Sequence, residues 1–90
     1  MNTLIFQIDK MGVITVVNNT SADIHVSVTA TGGDFGKGGS EAWYTLEANG
    51  GRDTWGQRDE MQVVRFARSL DPGAVVESIL GIPDSAVFIS

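Results

Sequence analysis

The feature that most restricts this chain is its rhythm: short runs alternate apolar and polar residues, and turn formers break each run within about ten residues. Asp23 to Ala30 is the clearest run. Ile24, Val26, Val28 and Ala30 point one way and His25, Ser27 and Thr29 the other, the signature of a sheet with one buried and one wet face. Thr3 to Asp9 alternates likewise, with Leu4, Phe6 and Ile8 on one side, and Val13 to Val17 is β-branched throughout. Glu60 to Ser69 sets Gln62, Val64 and Phe66 against Val63, Arg65 and Ala67. Asn18 to Ala22, Ala48-Asn49-Gly50-Gly51 and Pro83-Asp84 punctuate the runs as turns, because these residues adopt turn geometry or accept left-handed backbone. Glu41 to Glu47 resumes the strand pattern, and Arg52 to Gln57 is its expected hairpin partner. Asp71 to Gly81 has two readings, a Pro-led helix or a strand; strand is preferred because its neighbours are all β. Ala86 to Ile89 closes the chain as an apolar strand.

Seven or eight short strands imply an all-β fold: a single small antiparallel β-sandwich, or flattened barrel, over residues 1–90. Residues 1–10 have two readings, an added edge strand, which is a natural place for subunits to pair, or an ordinary first strand of the sandwich. A chain of 90 residues buries a small core. With no cysteine, neither a disulfide nor a thiolate metal site can supplement that core. Self-association is the usual remedy, so a homo-oligomer is expected.

Six basic against eleven acidic residues leave a net charge of −5, which excludes the basic face that nucleic-acid binders use against phosphate. The N-terminal segment has no basic n-region, and its apolar run, Leu4-Ile5-Phe6, is broken by Gln7 and Asp9. A cytoplasmic protein, or one released without a signal peptide, is therefore expected. The overlapping sequons at Asn18 and Asn19 are explained as a turn.

Catalysis finds little support. His25 is the single histidine, so nucleophile–histidine machinery has one conceivable centre, and one His cannot build a zinc site. The expectation is a non-enzymatic chain with no catalytic residues, metal or cofactor. Thr31 to Ser40 holds five glycines in ten residues, yet Gly36-Lys37 is followed by Gly38, and strand rather than helix comes next. A phosphate loop needs Ser or Thr after the lysine and a helix N-terminus beyond it. Asp34 is the only acid in that loop, too few for a calcium cage.

A binding surface remains. Trp43 and Tyr44 are adjacent, so their side chains leave opposite faces of a strand, and one is expected in the core with the other exposed. Trp55 comes next, with Arg52, Asp53, Gln57 and Arg58 around it. Aromatic rings stack on the apolar face of a sugar, and carboxylate, amide and guanidinium groups bond its hydroxyls. Phe35, inside the glycine loop, is a candidate membrane or partner anchor. Arg65 and Arg68 are read as cross-strand partners of Glu60, Glu77 or Asp71.

The run ITVVNNTSADIHVSV, followed by AWYTLEANGGRDTW, resembles the opening strands of small cytosolic proteins of mushroom-forming fungi. It looks like the start of the aegerolysins, fungal β-sandwich proteins that recognise membrane sphingolipids. The likeness covers Ile14 to Trp55; this chain is shorter than an aegerolysin and lacks its tryptophan-rich second half. A thaumatin-like chain would need many cysteines, absent here. The resemblance implies a fungal defence or immunomodulatory protein, often lectin-like, and suggests ligand roles for Trp43, Tyr44, Arg52, Asp53 and Trp55. The expected function is glycan binding. The alternatives are membrane-lipid binding and a protein-interaction module such as a protease inhibitor.

Overall fold

The computed structural model describes residues 12–31, 33 and 39–90. The expected first strand, residues 1–10, and most of the glycine loop, Asp34 and Phe35 included, lie outside the described residues. Within them the fold is all-β: β1 Ile14–Asn18, β2 Ile24–Val28, β3 Tyr44–Leu46, β4 Gly51–Trp55, β5 Gln62–Ala67, β6 Val76–Gly81 and β7 Ser85–Ile89. They form a three-stranded sheet of order β4-β1-β7 and a four-stranded sheet of order β3-β2-β5-β6. The pairing is antiparallel except between β1 and β7, which run parallel. This corrects the wholly antiparallel expectation. Alternation marks where a strand is, but its direction is set by the partner it meets.

The alternating residues form the core as the periodicity required. Ile14 and Val16 of β1, Ile24, Val26 and Val28 of β2, Val64 and Phe66 of β5, and Val87 and Ile89 of β7 are buried, together with Leu46 and Trp55. Each such side chain stabilises the fold by roughly 1.5–3 kcal/mol on leaving water. The segment Asp71 to Gly81 resolves as strand: β6 pairs with β5 from Gln62↔Gly81 to Ala67↔Val76, after a turn closed by Ala74 N–H donating to Asp71 O at 3.0 Å.

The hairpin expected between Glu41–Glu47 and Arg52–Gln57 does not form. β3 pairs with β2 in one sheet, while β4 crosses to β1 in the other. The reason is Asn18, fully buried at the end of β1. Its amide nitrogen shares two protons among the carbonyl oxygens of Ala22, Leu46 and Glu47, at 2.9, 3.0 and 3.0 Å. Its Oδ1 accepts from the Thr20 N–H at 2.9 Å and the Thr20 hydroxyl at 2.7 Å. The turn at 48–50 is tied to the same corner, with Gly50 N–H donating to Asn18 O at 2.6 Å and Asn49 N–H to Thr20 O at 2.8 Å. Donors that would close a hairpin are spent on the β1–β2 connection, and the strands splay into different sheets. Gly51 completes the crossing: a Cβ there would lie 2.3 Å from Glu47 O.

Candidate functional site

Where β3 and β4 edge the two sheets, an open cleft of about 290 Å³ is lined by Gly39, Ser40, Tyr44, Asp53, Trp55 and Gln57, among others. Tyr44 projects from β3 and Trp55 from β4, and their rings meet edge to face with centroids 6.1 Å apart and planes at 70°. Trp55 is 5% exposed, a core residue, whereas Tyr44 is 45% exposed and presents its ring to solvent. Asp53, two residues before Trp55 on the same face of β4, is exposed; its Oδ1 accepts from the Thr54 N–H at 2.8 Å. Gln57 is exposed at φ 61°, a left-handed conformation uncommon for a residue other than glycine, asparagine or aspartate. Such strain gathers at ligand sites. The indole N–H of Trp55 is buried and meets no hydrogen-bond partner among the described residues.

Arg58 holds this cleft in shape. It is 1% exposed, and its guanidinium donates to four backbone carbonyls: Thr29 at 3.1 Å, Gly56 at 2.7 Å, Val28 at 2.9 Å, and Ser40. The end of the glycine loop, the end of β2 and the β4–β5 connection are thereby clamped by one planar fork, a geometry for which Arg is better suited than Lys.

The other candidates scatter. Arg52 is the Cα partner of Val17 and leaves β4 on the face opposite Asp53. Trp43 flanks Arg65, whose guanidinium carbon lies 5.6 Å from the indole centroid. The expectation that one of Trp43 and Tyr44 is buried is corrected: they are 46% and 45% exposed. They do take opposite faces, but β3 is an edge strand of three residues, so neither side is fully covered. Arg68 pairs with Glu77 at 2.7 Å, as anticipated. Arg65 instead meets Glu41 at 3.4 Å and donates to Ser27 Oγ at 2.6 Å.

The outer face of the four-stranded sheet carries a second depression of about 430 Å³, lined by His25, Trp43, Thr45, Ala67, Leu70 and Val76, among others. His25 Nδ1 lies 3.0 Å from Thr45 Oγ1 at its floor. Sequence reasoning missed this groove, because its wall is the 69–74 connection, whose path no local pattern encodes. It also missed Ser40 in the cleft; the end of the glycine run was the one available signal. No three His, Cys, Asp or Glu among the described residues are grouped to hold a metal.

No protein-family model, curated protein or solved structure matches this chain. The likeness to aegerolysins therefore assigns no residue a role in the cleft.

Proposed function

We propose that this chain is a non-enzymatic carbohydrate-binding domain whose site is the cleft between β3 and β4. The observation that supports it is the half-exposed ring of Tyr44, propped edge-on by buried Trp55, with Asp53 and Gln57 on the same rim. A volume of about 290 Å³ suits one sugar ring rather than a long chain. The ring's apolar face stacks on Tyr44, while the Asp53 carboxylate and Gln57 amide take its hydroxyls. Arg58 contributes as the clamp that keeps the rim rigid, which limits the ordering cost of binding. Trp55 is the support for the stacking residue.

A glycan-array screen of labelled protein tests the reading. Binding to one glycan class, abolished by Tyr44→Ala and weakened by Asp53→Asn in variants with unchanged circular dichroism, is the expected result. A blank array from folded protein overturns it.

The apolar groove beside Trp43 and Leu70 favours a second reading, binding of a lipid or other apolar ligand. Flotation with sphingomyelin vesicles, lost in Trp43→Ala and retained in Asp53→Asn, which lines the cleft and not the groove, would establish that reading in place of the first.

A further inference from the structure

We propose that two copies of this chain associate through the open edge of β6, antiparallel across a two-fold axis, so that two four-stranded sheets merge into one. Among the described strands β6 pairs with β5 on one side and with none on the other. Edge strands are normally guarded by lysine, proline or a bulge, since their unpaired N–H and C=O groups invite another strand. Val76–Gly81 carries no lysine or proline, and it pairs with β5 without interruption.

The side chains agree with the backbone. Val76, Ile79 and Leu80, with Ile82 just beyond, are 54%, 43%, 54% and 49% exposed. They leave both faces of the strand, because Ile79 follows the core-facing parity of Val64 while Leu80 is opposite Val63 on the outer face. A strand apolar on both faces is suited to the interior of a sheet rather than its rim. These half-exposed groups lie along the strand's outward edge, and the interface they would form must clear about 1,000 Å² in total to hold as a specific one.

Charge selects a second copy as the occupant and sets the register. A chain of net charge −5 resists meeting itself except across a neutral strip. The β4 edge carries Arg52 and Asp53, the three-residue β3 is flanked by Glu41 and Glu47, and the shorter, five-residue β7 edge begins directly after Asp84. On β6, the longest of the edges, the one charge is Glu77, already paired with Arg68 at 2.7 Å. With Ile79 on the axis, Ser78 faces the partner's Leu80, Val76 faces the partner's Ile82, and Glu77 faces the partner's Gly81. The two Glu77 carboxylates are then about 14 Å apart along the strands at 3.4 Å per residue, beyond the Debye length of about 8 Å at physiological salt. Moving the axis to Ser78 would halve that separation, and moving it to Leu80 would set the partner's Pro83, which has no N–H to give, opposite Glu77, so Ile79 is assigned to it.

The association does not depend on what the cleft binds. Because β6 and β3 are opposite edges of the sheet, the dimer carries its two clefts at its far ends, open to solvent. If the clefts take sugars, the pair is bivalent, and avidity arises without a new contact.

Sedimentation velocity of the full chain, from micromolar to near-millimolar concentration, tests the proposal. A species of twice the 9.6 kDa chain mass is expected, and Ile79→Lys, which sets two lysines face to face, raises its dissociation constant at least about a hundredfold. Because the chain lacks cysteine, Ile79→Cys gives a clean second test: mild oxidation cross-links the pair, whereas Thr54→Cys on the outer face of the other sheet stays uncross-linked. A monomer at every concentration overturns the proposal. So does a dimer that Ile79→Lys leaves intact and Ile79→Cys does not cross-link.

Discussion

Tyr44 and Trp55 meet edge to face across the two sheets, with ring centroids 6.1 Å apart, one ring 45% exposed and the other 5%. The pair divides the labour of the cleft, since Tyr44 faces outward and Trp55 fills the core behind it. Truncating each should therefore fail in a different way. Trp55→Ala is expected to destabilise the fold by about 3–5 kcal/mol, as large aromatic truncations in cores do. Tyr44→Ala should cost about 1 kcal/mol, the worth of an aromatic pair at a half-exposed site, while removing glycan binding. Urea denaturation of the two variants, alongside the array, separates the roles.

Arg58 is a clamp of the fold, so its removal should register first as lost stability. Arg58→Ala strips four buried or part-buried carbonyls of their donor, and an unsatisfied buried group costs about 1–3 kcal/mol. A loss of about 3–5 kcal/mol is expected, with Arg58→Lys recovering less than half because an ammonium cannot span the same fork. Equal midpoints for Arg58→Ala and the parent in chemical denaturation would contradict the clamp.

Asn18 tests the corner that sends β3 and β4 to different sheets. Asn18→Ala loses both the donor and the acceptor side of the buried amide, and about 2–4 kcal/mol of destabilisation is expected. Asn18→Asp is expected to be worse than Ala, although nearly isosteric, because it would present a carboxylate oxygen to three carbonyl oxygens where the Nδ2 donor now sits. Thermal melts of the two variants give the order directly.

Gly50 and Gly51 are neighbours in sequence with opposite constraints. Gly50 sits at φ +103° with open space where a Cβ would stand, whereas a Cβ on Gly51 would lie 2.3 Å from Glu47 O. Gly50→Ala should cost about 1–2 kcal/mol of left-handed backbone strain. Gly51→Ala must move backbone and should cost more, upwards of about 2 kcal/mol. Comparing denaturant midpoints for the pair checks the ranking.

The core of this fold was legible because strands announce themselves locally. Alternation in β2 and β5 points to Ile24, Val26, Val28, Val64 and Phe66, and all are buried. In the cleft, Tyr44, Asp53 and Trp55 stand out by residue type, and all three line it. Arg52 stands out with them, but alternation along β4 sends it to the other face. Arg58 belongs to the same cluster, yet its bonds go to carbonyls far along the chain.

What the sequence determined by itself was the all-β class, the position of most strands and the residues that face the core, since each is set by a period of two along a short segment. Strand order, the parallel β1–β7 pair, the splaying of β3 from β4, the equal exposure of Trp43 and Tyr44 and the burial of Arg58 were decided only by tertiary structure. Each depends on partners distant in the chain: Asn18 reaches Glu47 and Arg58 reaches Val28. A hydrogen bond or an edge position of that kind exists only once the two segments have met, and no local pattern of side chains encodes the meeting.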